Sequence, residues 1–245
     1  RRNTHSSIGL LMEKNADSGR FSPEVLAHHF SNGSDPEKGL YYLDIAAQHA
    51  SFLHQHEVVI KLYVRAQELL KEAKLHRPAD EWKFGFQLAQ SFYIQGQLEK
   101  AKSYLENALQ MTRQSGDSLS RGETLVKLGD VCSDLGLLPE AIPYYEEAIE
   151  LFKENDENEG VIRVINALSI IYTQIGDFDQ AKEAFQRGIE RAEESTDYQL
   201  AGMIHSNFGI FNSLQNDTEA AISAYLSSIF YFDQAGSLEG VAHSY

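Results

Sequence analysis

Apolar residues recur through most of the chain at spacings of three and four. That is the period of a helix with one buried stripe, so the sequence predicts an all-α fold. The pattern also repeats at long range. Turn residues stand at Gly96, Gly136, Gly176 and Asn216, forty residues apart. Five residues after each comes an alanine, at Ala101, Ala141, Ala181 and Ala221. A large apolar residue follows at Leu105, Tyr145, Phe185 and Tyr225, then a small one at Ala108, Ala148, Gly188 and Ser228. Before each turn a second helical pattern carries Leu88-Ala89, Leu128-Gly129, Leu168-Ser169 and Phe208-Gly209. An earlier copy, with two extra residues in its connection, runs through Ala46-Ala47, Val59, Tyr63 and Ala66.

Each repeat therefore predicts two helices, A and B, joined by a tight turn. Glycine or asparagine at the turn supplies the left-handed backbone that ends helix A. Small residues at fixed places let helices approach closely, and a bulky residue opposite fills the gap. One helix pair cannot bury its own stripe, so the copies must stack.

These positions resemble the tetratricopeptide (TPR) pattern: large, Leu, Gly/Ala, Tyr in helix A and Ala, Phe/Tyr, Ala in helix B. Segment 122–155 matches it best, with Leu125, Leu128, Gly129, Gly136, Ala141, Tyr145 and Ala148. The resemblance implies a right-handed superhelical solenoid of antiparallel helix pairs. Its repeats are expected at 40–73, 82–115, 122–155, 162–195 and 202–235, with another helix starting at 241–245 and Tyr245 at its large position. On this reading the array is cut mid-repeat. The period of 40 rather than 34 puts about six extra residues into helix B or its connection, as in Gln114–Leu119 and Glu154–Gly160.

Residues 1–39 lie outside the register and are expected to form an N-terminal helical junction or cap. They predict a helix around Thr4–Lys14, a second opened by Ser22-Pro23-Glu24, a turn over Asn32–Pro36 and a third helix started by Asp35-Pro36. The stretch Leu26–Phe30 (LAHHF), followed by Lys38–Tyr42 and Ala46-Ala47, resembles the join between nucleotide-switch module and TPR array in STAND and MalT-like signalling ATPases and in cyclase or kinase fusions. That resemblance implies such a module upstream. The long repeat is also similar to that of Pins/LGN-like scaffolds.

Composition narrows the function. Net charge is −15, from 36 acidic and 21 basic residues. Residues 1–80 carry ten of each sign, whereas 116–160 holds twelve acids and three bases. This field repels phosphate backbones, so no direct nucleic-acid partner is expected, and it favours a basic protein or peptide. No apolar run is long enough to span a membrane. The one cysteine, Cys132, excludes a disulfide framework and suits a reducing cytoplasm; it falls where TPR helices bury a Tyr, so it reads as core.

Chemistry is scarce. There is no phosphate loop and no Gly-rich dinucleotide turn. His56-Glu57-Val58-Val59-Ile60 begins like the zinc motif H-E-x-x-H but has Ile60 where the second ligand belongs. Seven of the nine histidines lie in the first 80 residues, which reads as polar inter-helix packing rather than a metal site. Asn155–Asn166 imitates a calcium loop only loosely, with Asn155 and Asn166 where the pattern needs Asp and Glu. No enzyme and no cofactor is expected.

By the TPR resemblance, helix A lines a concave surface through repeat positions 2, 5, 9, 12 and 13, one face at 3.6 residues per turn. These are Lys83, Phe86, Gln90, Tyr93 and Ile94 in the second repeat, and Glu123, Val126, Asp130, Ser133 and Asp134 in the third. The fourth gives Arg163, Asn166, Ile170, Thr173 and Gln174, the fifth Met203, Ser206, Ile210, Ser213 and Leu214. Gln90, Asn166 and Gln174 suit backbone amides of a bound peptide, and Arg163 suits a carboxylate. Asp44 and Gln48 stand where clamps for acidic peptide tails carry Lys and Asn, which argues against that ligand. The expected function is a non-catalytic binding domain, the sensor or regulatory arm of a larger bacterial signalling protein. The alternative is a stand-alone scaffold adaptor holding a peptide in the same groove.

Overall fold

The computed structural model describes residues 2–14 and 22–244, and the reading made at Tyr245 lies outside them. Every regular element among the described residues is a helix. Two compact units, Arg1–Asp117 and Ser118–Tyr245, divide the chain.

The first unit holds α1 (Arg2–Lys14), α2 (Pro23–Ser31), and the pairs α3 (Pro36–Phe52) with α4 (His56–Ala73) and α5 (Pro78–Ile94) with α6 (Leu98–Ser115). The second holds the pairs α7 (Ser118–Asp134) with α8 (Leu138–Glu154), α9 (Asn158–Ile175) with α10 (Phe178–Glu194), and α11 (Tyr198–Leu214) with α12 (Thr218–Gln234), followed by α13 (Leu238–Ser244). Within each unit, helix B of one pair packs on helix A of the next: α4 on α5, α8 on α9, α10 on α11 and α12 on α13. The extra residues of the long repeat extend the helices instead of forming loops. Gln114 and Ser115 end α6, and only Gly116 and Asp117 separate it from α7.

The turns follow from backbone chemistry. Gly96, Gly136, Gly176 and Asn216 have φ of 71°, 76°, 82° and 58°, so each helix A ends in the left-handed conformation. Helix starts are marked by Pro23, Pro36, Pro78 and Pro139 in the first turn, and by Asp35, Asp177, Asp197 and Asp217, whose side chains accept the backbone N–H three residues on.

Close helix packing depends on residues without side chains. The Phe152 ring of α8 is wedged between Gly122 of α7 and Gly160 of α9. Phe232 of α12 is wedged likewise between Gly202 of α11 and Gly240 of α13. Each phenylalanine thereby joins its own helix A to the next, and burying such a ring contributes about 1.5–3 kcal/mol. Cys132 is fully buried in α7.

At the N-terminal junction, Leu26, Ala27 and Phe30 of the LAHHF stretch are buried. Phe30 stacks on Tyr42 at 4.9 Å and meets Gly9 of α1. Glu13 of α1 binds Lys38 Nζ at 2.6 Å and accepts the Tyr42 hydroxyl at 2.8 Å, so α1 is tied to α3. Burial and the neighbouring Glu13 carboxylate push the Tyr42 hydroxyl up to about 12.

Candidate partner-binding face

In both units the helix-A face carries polar bridges between successive helices A. In the first, Asp44 of α3 accepts the Tyr63 hydroxyl at 3.1 Å and pairs with Lys83 of α5 at 2.7 Å. Burial, with the Asp44 carboxylate beside it, raises the Tyr63 pKa. In the second, Asn207 of α11 donates to Asn166 of α9 at 3.0 Å. Asp44 and Asn166 both occupy repeat position 5, which therefore forms a seam between neighbouring helices A.

That geometry sorts the sequence-predicted residues. Ser206, also at position 5, is only 4% exposed and is withdrawn from the site. By the register that turns Asn166 towards α11, Ser206 faces α13, and its short side chain is covered. Phe86, also at position 5, is buried too and stacks on Trp82 of its own helix at 5.3 Å. Thr173 keeps its place on the face but spends its hydroxyl on the Ser169 carbonyl, 2.8 Å away. Lys83 is held by Asp44, and Asn166 by Asn207. Gln90 and Tyr93 are half-buried on α5.

Within the second unit the remaining residues form distinct bands. On α7, Asp130 accepts the Tyr145 hydroxyl at 2.9 Å and pairs with Lys127 at 2.9 Å, while Glu123 and Asp134 are exposed. On α9, Arg163 and Gln174 are exposed and have no polar partner among the described residues. On α11, Met203, Ile210 and Leu214 are 40%, 44% and 61% exposed. An extended peptide crossing α9 and α11 would meet a free guanidinium and amide beside an apolar strip.

Two clusters give partners that the sequence reading did not name, although polar inter-helix packing was expected of the N-terminal histidines. His5, His28 and His29 gather with ring centroids 5.2–5.6 Å apart, and His5 and His29 share a hydrogen bond of 3.1 Å between their Nδ1 atoms. Burial, then the charges of His28 and His5, lower the His29 pKa. The second is His205, buried in α11, stacked 5.3 Å from Tyr231 and bonded to Glu193 at 3.1 Å. Their signal in the sequence is only the adjacent pair His28-His29 and a lone histidine in a helix, and the partners His5, Glu193 and Tyr231 come from other helices. No group of three or more His, Cys, Asp or Glu among the described residues has the arrangement to hold a metal ion. No described helix is long and apolar enough to cross a membrane.

The family model described as tetratricopeptide repeat matches residues 84–154 and 121–194. Residues 84–194 are tetratricopeptide repeats. Human tetratricopeptide repeat protein 29 is 23% identical over 161 residues, covering 66% of this chain and 34% of that protein. Response regulator aspartate phosphatase J of Bacillus subtilis is 32% identical over 99 residues, 40% of this chain and 26% of the phosphatase. Transcriptional activator NprA of Geobacillus stearothermophilus is 23% identical over 222 residues, 90% and 54% of the two chains. The chain spans between about a quarter and a half of these relatives' lengths. Among solved structures, BtubC from P. vanneervenii superposes with a TM-score of 0.72 at 20% identity, covering 87% of each chain. The Rap conjugation gene regulator of plasmid pLS20, in complex with a Phr peptide, gives 0.63 at 14% identity, covering 89% of this chain and 58% of its own. The fold is a TPR solenoid.

Proposed function

We propose that the chain is the peptide-sensing regulatory arm of a larger signalling protein and works by binding, not by chemistry. The observation that carries this reading is the pairing on α9 and α11 of the unpartnered Arg163 and Gln174 with the exposed Met203, Ile210 and Leu214. A peptide with an apolar segment and a carboxylate placed at Arg163 fits this band, and basic residues in it would be drawn to Glu123, Asp130 and Asp134 of α7. Thr173 contributes its methyl group to this band, and Lys83, Gln90 and Tyr93 of α5 are proposed as a contact surface of the first unit by itself. Support comes from the relatives' names: one solved TPR structure holds a Phr peptide, and one relative is a transcriptional activator. The phosphatase named among the relatives acts on response regulators, and no residue here is assigned that chemistry. A nucleotide-switch, cyclase or kinase module elsewhere in the protein, in the cytoplasm, would be the element that the arm controls.

A displayed random-peptide library, panned against the chain, tests the reading. Enriched peptides sharing a motif, whose binding drops about tenfold or more in Arg163→Glu and in Leu214→Asp, support it. Peptides that bind both variants as well as the parent would move the site off this face.

A further inference from the structure

Repeat position 4 is a large buried side chain at Leu43, Leu125, Ile165 and His205. The second repeat has Gly85 there. Gly85 is buried, yet a Cβ built on it meets nothing but the Gln67 amide, 3.8 Å away, so no other group fills the space of the missing side chain. A cleft of about 760 Å³ lies over it, between α4, α5 and α6. That volume is in the range of small-molecule sites, roughly 300–1,000 Å³.

The lining has a definite chemistry. Leu70, Ala108, Met111 and the Tyr104 ring supply apolar walls. Lys71 and Lys74 stand exposed on the lining, and neither forms an ion pair among the described residues. The one acid on the lining, Glu81, has His76 Nδ1 at 3.8 Å. Two free cations beside an apolar hollow, against a single acid on the lining and in a stretch whose charges balance over residues 1–80, select an anion with an apolar body. We infer that this cleft binds a small amphipathic organic anion: a flat apolar molecule carrying one carboxylate or sulfonate, seated over Gly85 with its charge between Lys71 and Lys74. The site is separate from the peptide-binding face and stands whether or not that reading holds.

Anilinonaphthalene sulfonate is a fluorescent molecule of this class, and phenylnaphthylamine is the same body without the charge. Titrated into the full chain, the sulfonate should bind saturably, one per chain, with a blue-shifted emission. Gly85→Leu, which restores the residue type of the other repeats, should weaken it about tenfold or more while near-ultraviolet circular dichroism stays native. Lys71→Met with Lys74→Met should weaken the sulfonate and leave phenylnaphthylamine unchanged. The double lysine variant changes only surface side chains, so it decides the matter even if Gly85→Leu folds poorly. Non-saturable binding, equal affinity in Gly85→Leu with native dichroism, or equal loss of charged and neutral probes in the lysine variant would overturn the site.

Discussion

The Tyr145 ring lies directly against the helix backbone at Gly129, so that a methyl group placed there would sit 2.5 Å from ring atom Cε1. The Tyr145 hydroxyl reaches past that contact to Asp130, the next residue along α7. Ring and hydroxyl together fix how α7 and α8 cross, and Gly209 with Tyr225 repeats the contact between α11 and α12. Alanine at Gly129 would improve helix propensity by about 1 kcal/mol. The clash is with an aromatic ring already anchored at its far end, so overpacking outweighs that gain. Gly129→Ala is expected to destabilise the protein by about 1–3 kcal/mol, read as a lower urea midpoint. A higher midpoint would mean that Tyr145 swings away freely.

Gly85 gives the opposite sign. It is helical and faces the cleft, with only the Gln67 amide nearby. Alanine there meets no clash and reduces the freedom of the unfolded chain. Gly85→Ala should raise stability by about 0.5–1 kcal/mol. Measuring Gly85→Ala and Gly129→Ala side by side separates packing from propensity.

Left-handed positions should respond to glycine in the same ordered way. Asp156, after α8, has φ of 57° where the equivalent turn after α6 has Gly116 at 75°. A non-glycine residue in that region carries a cost of about 1–2 kcal/mol. Asp156→Gly should recover up to about 1 kcal/mol, and Gly136→Ala should lose about 1 kcal/mol with no change at the peptide-binding face. Thermal melts of the two variants check both signs.

The forty-residue register made the helices, their glycine turns and the buried rows legible, because those features repeat and each obeys local geometry. Leu128, Tyr145 and Ala148 are placed by their own repeat alone. Position 5 was misread because its environment comes from the next helix A, which one repeat cannot describe. Asn166 is tied to Asn207 and Ser206 is covered, although their helical faces also carry the exposed Arg163 on α9 and Met203 on α11. The Gly85 cleft was written in the register as a missing side chain, but only the packing of α4, α5 and α6 shows that nothing else fills it. Polar inter-helix packing by the N-terminal histidines was legible, but that His5 of α1 meets His28 and His29 of α2, and that His205 meets Glu193 and Tyr231, was not, because those partners lie on other helices.

His205 makes stability depend on pH in a definite direction. Burial in α11 lowers its pKa below the ordinary 6.5, and the Glu193 carboxylate only partly offsets this. The unfolded chain then takes up a proton at this residue before the folded chain does. Its stabilising contribution is complete above about pH 6.5 and is lost as pH falls from there through the lowered folded value. His205→Gln keeps a hydrogen-bond donor for Glu193 and cannot titrate. The drop in thermal midpoint between about pH 7.5 and pH 5.5 should therefore be smaller in His205→Gln than in the parent, by roughly 2–4 °C for each kcal/mol that the histidine contributes. An identical drop in both proteins would show that His205 stays equally easy to protonate when folded, and would place the acid sensitivity elsewhere, with the His5, His28 and His29 cluster the next residues to replace.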